Sequence, residues 1–128
     1  MPDEAGYEPA RDPQDLERLL VSRERAGDID GMTALFEPDA VLDCYEPDAV
    51  HYCGDGHVVV GREAIRAFFA ALVASGRKFE FGEQRAALIS GDLALTSTRS
   101  ADGHVTAEVA RRQADGTWLW VIDRYSAI

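Results

Sequence analysis

The sequence contains no run of apolar residues long enough to span a bilayer as a helix. Basic residues are scarce as well, since 13 Lys and Arg stand against 23 Asp and Glu and the net charge is −10. Such a chain repels phosphate backbones and anionic lipid head groups, so neither nucleic acid nor a membrane is an expected partner. The acidic N-terminus lacks the basic and apolar regions of a signal peptide, and we therefore expect a cytoplasmic location.

Motifs for nucleotide binding and for nucleophilic catalysis are missing too. No glycine-rich loop is present that would cradle phosphate, and no serine or cysteine stands in a nucleophile motif with a partner histidine. The two cysteines, Cys44 and Cys53, fit no redox or zinc spacing and are expected to be small buried apolar residues. We therefore predict a protein that uses no cofactor.

The length of 128 residues predicts one domain with a core of its own. Two prolines, a glycine and several charges make residues 1–12 an expected flexible leader, which leaves residues 13–128 as the domain. The clearest element in the domain is a helix between Gly61 and Gly76, where apolar residues recur at i, i+3, i+4, i+7 and i+8. Gly76 is suited to the left-handed conformation that ends a helix.

Two further helices are predicted before it. Asp12 followed by Pro13 is a typical helix start, and Gly27 is expected to end this first helix. Asp28 then caps a short second helix that we expect to end before Pro38. The apolar face of this second helix is predicted to consist of Ile29, Met32, Leu35 and Phe36.

Strand patterns occupy most of the remaining chain. They cover residues 40–45, a small hairpin formed by 50–53 and 57–60, and then 78–89, 93–100, 104–113 and 117–126. The turns between the last four strands each carry a glycine beside an aspartate, which is typical of hairpins, so these strands should be sequential antiparallel neighbours. Helices followed by an antiparallel sheet predict a segregated α+β domain.

Three stretches resemble the nuclear-transport-factor-2-like superfamily, in particular its SnoaL-like and ketosteroid-isomerase-like branch. Residues 26–41 (AGDIDGMTALFEPDAV) resemble the passage from the first helix through the second into the first strand. Residues 61–69 (GREAIRAFF) resemble the third helix. DGTW at 115–118, followed by DRYS at 123–126, is similar to the last strand. The resemblance covers about residues 13–126.

The resemblance implies a cystatin-like fold, in which three N-terminal helices pack on a strongly curved, mostly antiparallel sheet that forms a cone. The open end of such a cone is a pocket, often apolar with one or two carboxylates. It also implies a homodimer through the outer face of the sheet. The activities of the superfamily include isomerisation, cyclisation, dehydration, epoxide opening and plain ligand binding, so the fold does not fix the function.

Isomerase chemistry in this branch needs a general base and a donor to the developing oxyanion. The resemblance places Leu20 at the donor tyrosine of the first helix, Cys44 at the base position of the first strand, and Glu108 at a second carboxyl position. Asp43 precedes Cys44, so it is the base only if the strand is bulged or the register differs by one residue.

Asp43, Glu108 and Asp123 are the candidate catalytic residues. Glu108 is either a pocket acid or a solvent-facing strand residue. Asp123 either lines the cone together with Tyr125 or forms a cross-strand ion pair at the end of the sheet. Tyr45, His51 and Tyr125 are the candidate substrate-binding residues.

The segment from His51 to His57 alternates His, Cys, Asp and His at every second position. An extended chain would align these side chains as transition-metal ligands, whereas the glycines at 54 and 56 favour a polar loop over the mouth of a pocket. We expect the loop and no metal site. Trp118 and Trp120 are expected to pack in the core or at a dimer interface, with a ligand platform as the alternative.

These features predict a small-molecule-binding protein with a pocket for a small apolar organic ligand. If it is an enzyme, its reaction is cofactor-independent acid–base chemistry of the isomerase, cyclase, dehydratase or hydrolase type. The alternative is a non-catalytic ligand-binding or dimerisation module. A pocket of about 300 Å³ or more with a buried acid would favour the enzyme.

Overall fold

The computed structural model describes residues 6–43, 58–76, 82–101 and 103–124. Within these ranges the elements are α1 (Asp15–Arg25), α2 (Ile29–Thr33), β1 (Phe36–Asp43), β2 (Val58–Val60), α3 (Arg62–Ala74), β3 (Glu83–Gln84), β4 (Leu88–Ser90), β5 (Leu93–Thr96), β6 (Thr98–Arg99), β7 (Ala107–Arg112) and β8 (Trp118–Arg124). The predicted α+β architecture, with three helices on a curved sheet, is confirmed. No helix of the described ranges is long and apolar enough to cross a membrane.

Helix α3 has the predicted boundaries. Gly61, with φ at +89°, precedes its first residue, and Gly76, with φ at +78°, follows its last turn. Its apolar face buries Ile65, Phe68 and Phe69 against the sheet. The periodicity of the sequence therefore located the face of α3 that closes the core.

Helices α1 and α2 differ in detail from the prediction. Asp12 and Pro13 form a turn in which Asp12 accepts a hydrogen bond from the Gln14 N–H, and α1 begins only at Asp15. Asp28 caps α2 as predicted, because its carboxylate accepts a hydrogen bond from the Gly31 N–H at 2.9 Å. The predicted end of α2 was wrong, since it stops at Thr33 and the following residues enter β1.

Six of the strands form one sheet in the order β2-β1-β8-β7-β5-β4. All neighbours are antiparallel except β1 and β8, which are parallel. Strand β2 pairs with β1, with Val60 opposite Val41. Its predicted partner at 50–53 lies outside the described residues.

The predicted strands 78–89 and 93–100 are each interrupted. Residues 88–90 of the first and 93–96 of the second form β4 and β5 of the large sheet. Residues 83–84 and 98–99 form β3 and β6, which pair in a separate two-stranded sheet. At the break, Ser97 accepts a hydrogen bond from the Arg85 N–H, and its hydroxyl donates to the Thr106 carbonyl. The chain therefore changes sheet at Ser97, which strand propensity alone does not indicate.

Two irregularities set which side chains face the helices. Phe36 lies opposite Trp120 while Val41 lies opposite Ile122, so β1 contains a wide bulge around Pro38, which cannot donate to the ladder. In β8, Ile122 lies opposite Val109 and Trp120 opposite Ala110, so Val121 is an extra residue. The bulge at Val121 reverses the alternation of β8 between its two ends.

The core lies between the helices and the face of the sheet that we call the inner face. At its centre the Phe36 ring packs 5.2 Å from Trp120 and 5.7 Å from Phe69, measured between ring centroids. Both tryptophans of the chain are buried, as predicted for core residues, with Trp118 6% and Trp120 1% exposed.

Part of the predicted leader packs on this domain. The Trp118 N–H donates to the Ala10 carbonyl, and the guanidinium of Arg23 donates to the Glu8 carbonyl and lies 4.7 Å from the Tyr7 ring centroid. Ala10 is buried. The boundary at residue 13 stays a prediction, but residues 7–10 contribute contacts to the fold.

Candidate functional site

One row of cross-strand neighbours crosses the inner face of the sheet and carries two carboxyl groups. Leu42 of β1 lies opposite Asp123 of β8, Asp123 opposite Glu108 of β7, and Glu108 opposite Thr96 of β5. Directly opposed residues point to the same face of a sheet. We call these four residues the acid row.

The bulge at Val121 is the reason that Asp123 belongs to this row. Trp118 and Trp120 are buried on the inner face, and regular alternation would continue that face through Ile122. The extra residue instead turns Ile122, which is 49% exposed, to the outer face and Asp123 to the inner face. The acid pair therefore depends on one inserted residue in β8.

Helices α1 and α3 close a cavity over the acid row. Its volume is about 40 Å³, which is room for a few water molecules or one small polar group. Its walls are mostly apolar. The lining residues are Glu17, Leu20, Leu42, Phe68, Phe69, Thr106, Glu108 and Asp123.

Glu108 is the most buried acid of the cavity, with 3% of its surface exposed. Its Oε2 atom has no hydrogen-bond partner among the residues that the structure describes. Burial, and next the neighbouring Asp123 charge, raise the pKa of Glu108 above neutrality, while a hydrogen bond from the Thr106 hydroxyl acts in the opposite direction. Thr106 is held for this contact because its hydroxyl also accepts the Thr98 N–H at 3.1 Å.

Asp123 and Glu17 border the same space. Both are half-buried. Burial raises the pKa of Asp123 above neutrality, and the charges of Glu17 and Asp43 add to that effect. Burial raises the pKa of Glu17 to about 7. Near neutral pH the cavity thus holds two acids that keep their protons, Glu108 and Asp123, and one that is partly ionised, Glu17.

The structure brings together two of the three predicted catalytic residues. Asp43 is separate from them, because it lies opposite Arg124 on the outer face and is not a wall of the cavity. The Asp43 carboxylate is 3.9 Å from the Arg124 guanidinium. The inward position next to it on the described strand is Leu42, not Asp43.

Three candidates lie outside the described residues, namely Tyr45, His51 and Tyr125, as do both cysteines and the segment 51–57. The structure adds a residue that the sequence analysis missed, Glu17. A signal for it exists, since Glu17 stands one helical turn before Leu20, which the family resemblance placed at a pocket position.

The cavity does not resemble a metal centre. Among the described residues no three potential ligands of the His, Cys, Asp and Glu types are close enough to hold a metal ion. What the arrangement offers is two carboxyl groups that keep their protons near neutral pH, a strand spacing apart, and a partly ionised Glu17 that can accept a proton. Water is largely excluded from these surroundings. This is a suitable arrangement for general acid–base chemistry.

Comparison with known proteins agrees with this architecture. The family model of the SnoaL-like domain matches residues 16–126, from α1 to beyond the described end of β8. A search of curated proteins found no significant match. The family is therefore established by a match that spans most of the chain.

Several solved structures share the fold. A SnoaL-like protein of unknown function from Burkholderia thailandensis has 21% identity and a TM-score of 0.57, over 87% of this chain and 90% of that one. A domain of unknown function with a cystatin-like fold from Nostoc punctiforme has 16% identity and a TM-score of 0.67, over 89% and 74%. An NTF2-like protein of unknown function from Pseudomonas putida has 20% identity and a TM-score of 0.59, over 90% and 83%.

These structures are too distant in sequence to transfer an activity, but they have the same arrangement of helices on a curved sheet. The protein belongs to the SnoaL-like family of the nuclear-transport-factor-2-like superfamily.

Proposed function

We propose that this protein binds a small, largely apolar organic molecule over the acid row and exchanges protons with it through Glu108 and Asp123. The observation that carries the proposal is the pairing of these two acids on adjacent strands, inside a cavity with walls of leucine and phenylalanine. A carboxyl group in such surroundings keeps its proton near neutral pH and can deliver it to a substrate. The proposed chemistry needs no cofactor.

The two acids differ in ways that suit complementary tasks. Glu108 is almost fully buried and its pKa is raised above neutrality, so it is the proposed general acid or hydrogen-bond donor. Asp123 is half-buried and is the proposed base, which takes a proton from the ligand in the fraction of molecules in which it is ionised. This fraction increases with pH, because the pKa of Asp123 is raised above neutrality. A carbonyl compound bound between them would lose a proton next to its carbonyl and receive one on its oxygen, which is the first half of an isomerisation or dehydration.

The size of the cavity favours a second candidate, a non-catalytic module. About 40 Å³ is far below the 300 Å³ or more expected of a pocket that encloses a whole organic ligand. The volume suits a polar head group whose apolar body extends beyond the described walls. In a non-catalytic module, water would fill this space and the ligand would be bound without being chemically converted.

Proton exchange in heavy water separates the two candidates. The protein would be incubated in D₂O with 2-butanone and, separately, with 1-(dimethylamino)propan-2-one, and deuterium next to each carbonyl would be followed by NMR. For an acid–base enzyme we expect protein-dependent exchange of at least one compound. We expect Glu108→Gln and Asp123→Asn to reduce it about a hundredfold, the usual contribution of general acid–base catalysis.

Glu83→Gln is the matched control, because it removes the same charge from an exposed strand residue that does not line the cavity. Its exchange rate should equal that of the unchanged protein. If neither compound exchanges faster with protein than without it, the catalytic proposal fails and the module remains. Equal rates for Glu108→Gln and Glu83→Gln would place any exchange outside the acid row.

We further propose that the protein is a homodimer, and that the outer face of the sheet is its interface. One apolar residue from each of the six strands stands in a continuous row of cross-strand pairs on that face, which we call the apolar row. It consists of Val60, Val41, Ile122, Val109, Leu95 and Leu88. The row contains no charge, so contact between two copies along it would bury none of the acidic residues of the row's strands that face elsewhere. A cytoplasmic location remains part of the proposal.

A further inference from the structure

The acids of the cavity have no basic partner in it. Eight of the described residues line the cavity. Three of them are acidic, from α1, β7 and β8, and none is lysine, arginine or histidine. Arg124, which follows Asp123 in β8, lies on the outer face with Asp43. Buried acids elsewhere in proteins are normally paired or hydrogen-bonded, and here Oε2 of Glu108 is not.

We propose that the missing partner is supplied by the ligand, which carries a basic nitrogen, and that Glu108 is the group that pairs with it. This inference rests on the proposed function, since it names the chemical class of the ligand of the same site. An ammonium group is small enough for a cavity of about 40 Å³. It donates in several directions and can therefore contact acids that come from three different elements.

The aromatic walls add to the preference for a cation. Phe68 and Phe69 both line the cavity, with their ring centroids 5.4 Å apart. A cation over the face of an aromatic ring is attracted by it, most strongly where water is excluded. An anionic ligand would instead meet the charge of Glu17, whose pKa of about 7 leaves it partly ionised at neutral pH.

Binding of an ammonium ion has a defined proton balance. In the unliganded protein the Glu108 carboxyl holds its proton near neutral pH, because burial and Asp123 of β8 raise its pKa, with a smaller effect from Glu17 of α1. When the ammonium ion enters, this proton passes to solvent and an N–H···O hydrogen bond forms to the carboxylate. The cavity walls from β1 and α3 carry no charge, and Asp43 of β1, on the other face, raises the pKa of Asp123. Amine affinity should therefore rise with pH.

Three probes with one carbon skeleton test the inference, namely 2-butanamine, 2-butanol and 2-butanone. Each would be titrated into the full ¹⁵N-labelled protein at pH 6, 7 and 8, and shifts of cavity residues would give the dissociation constants. Alkylamines are ammonium ions throughout this range. We expect the amine at pH 8 to bind at least about tenfold more tightly than the alcohol or ketone, and its affinity to rise by up to about tenfold per pH unit, the limit for release of one proton.

Glu108→Gln keeps the shape of the side chain and removes its ionisation. In this variant we expect the amine and the alcohol to bind within about twofold of each other, whereas Glu83→Gln should keep the preference of the unchanged protein. The pH dependence of the unchanged protein tests the same point without relying on a variant.

The outcomes distinguish the inference from the proposed function. If 2-butanone binds more tightly than 2-butanamine, or if amine affinity does not change with pH, the ligand is not a cation and the amine inference is overturned, while the cavity remains a binding site. If none of the three probes shifts the cavity residues, the proposed binding function is overturned as well. If Glu108→Gln leaves amine binding unchanged, the cation binds away from the acid row, and the inference is overturned in this case too.

Discussion

On the inner face of the sheet, carboxyl groups stand where core side chains are usual, whereas on the outer face leucine, isoleucine and valine stand in water. Glu108 is 3% exposed, and its neighbour across the strand pair is a second acid, Asp123. On the outer face Leu95 is 45% and Leu88 is 68% exposed. Single exposed apolar residues need no explanation, but a buried acid without a base and an uninterrupted apolar row do.

Under the proposed function, the two faces would contact different partners. The inner face excludes water around ionisable groups, which gives them the proton affinities that ligand chemistry requires. The apolar row of the outer face contains no charged residue although the net charge of the chain is −10, and in our proposal this favours contact with a second copy there. The stability and the assembly of the protein should therefore respond differently to changes on each face.

The largest effect is expected on the outer face. Leu95→Glu places a charge in the middle of the apolar row, between Leu88 and Val109. In a symmetric dimer it would bury two unpaired like charges, so the dissociation constant should rise by about a hundredfold or more. Sedimentation equilibrium over a range of protein concentrations measures this change.

Ala67→Glu is the control for that experiment, because it adds the same charge at an exposed position of α3, away from the sheet. It should leave the dimer intact. A protein that is monomeric before any substitution, at all concentrations studied, would show that the outer face has another use.

The next largest effect is the pH dependence of stability, which comes from the inner face. The folded-state pKa values of Glu17, Glu108 and Asp123 lie above their unfolded values, so the folded protein binds more protons than the unfolded chain. Their contribution to the free energy of unfolding is therefore fully present below about pH 4 and is lost as pH rises through about 7 for Glu17 and through higher values for the other two. Each group contributes at most about 1.4 kcal/mol per pH unit.

Glu108→Gln isolates the largest part of this slope. The amide cannot ionise, so the variant should be more stable than the unchanged protein by about 2 kcal/mol at pH 8 and equally stable at pH 5. Urea unfolding at a fixed protein concentration measures both values, with Glu83→Gln as the control that keeps the original slope. Lower stability of Glu108→Gln at pH 8 would mean that Glu108 is stabilised as a carboxylate.

Several features of the two faces could be predicted from the sequence, because they follow from the periodicity of apolar residues and from turn motifs. The spacing of apolar residues located α3, and the glycine–aspartate turns located the last hairpins. The family resemblance selected Glu108. These features depend on local sequence, so a single chain was enough to identify them.

What could not be predicted depends on irregular backbone. Asp123 faces the cavity only because Val121 is inserted in β8, and β1 passes through Pro38 as a bulged strand instead of ending a helix there. The position of a bulge depends on how one strand pairs and packs with its neighbour, which is a tertiary effect. Glu17 was missed for a related reason, since its polar side chain becomes a wall of the cavity only after α1 has packed on the sheet.

A smaller effect is expected from Thr106, which contacts Glu108 with one atom. Thr106→Val removes the donor to the Glu108 carboxylate and the acceptor of the Thr98 N–H, so the free energy of unfolding should fall by about 1 kcal/mol. Because the donor stabilises the charged form, the pKa of Glu108 should rise further, and the additional loss of stability should appear only above about pH 9, where Glu108 of the unchanged protein ionises. Thr106→Ser should restore both, as carboxyl ¹³C titration by NMR would show. An unchanged Glu108 titration in Thr106→Val would disprove the contact.

The smallest effect should come from Asp43, although it is one residue along β1 from Leu42 of the acid row. Its ion pair with Arg124 spans 3.9 Å and is largely solvated on the arginine side, so Asp43→Asn should change the free energy of unfolding by no more than about 0.5 kcal/mol. The pKa of Asp123 should fall slightly, because the Asp43 charge raises it, and the proton exchange of bound ligands should persist. Asp123→Asn, its counterpart on the inner face, should reduce that exchange about a hundredfold. Equal loss in both variants would mean that the two carboxylates share one face, and the contrast between the faces on which the proposed site depends would be wrong.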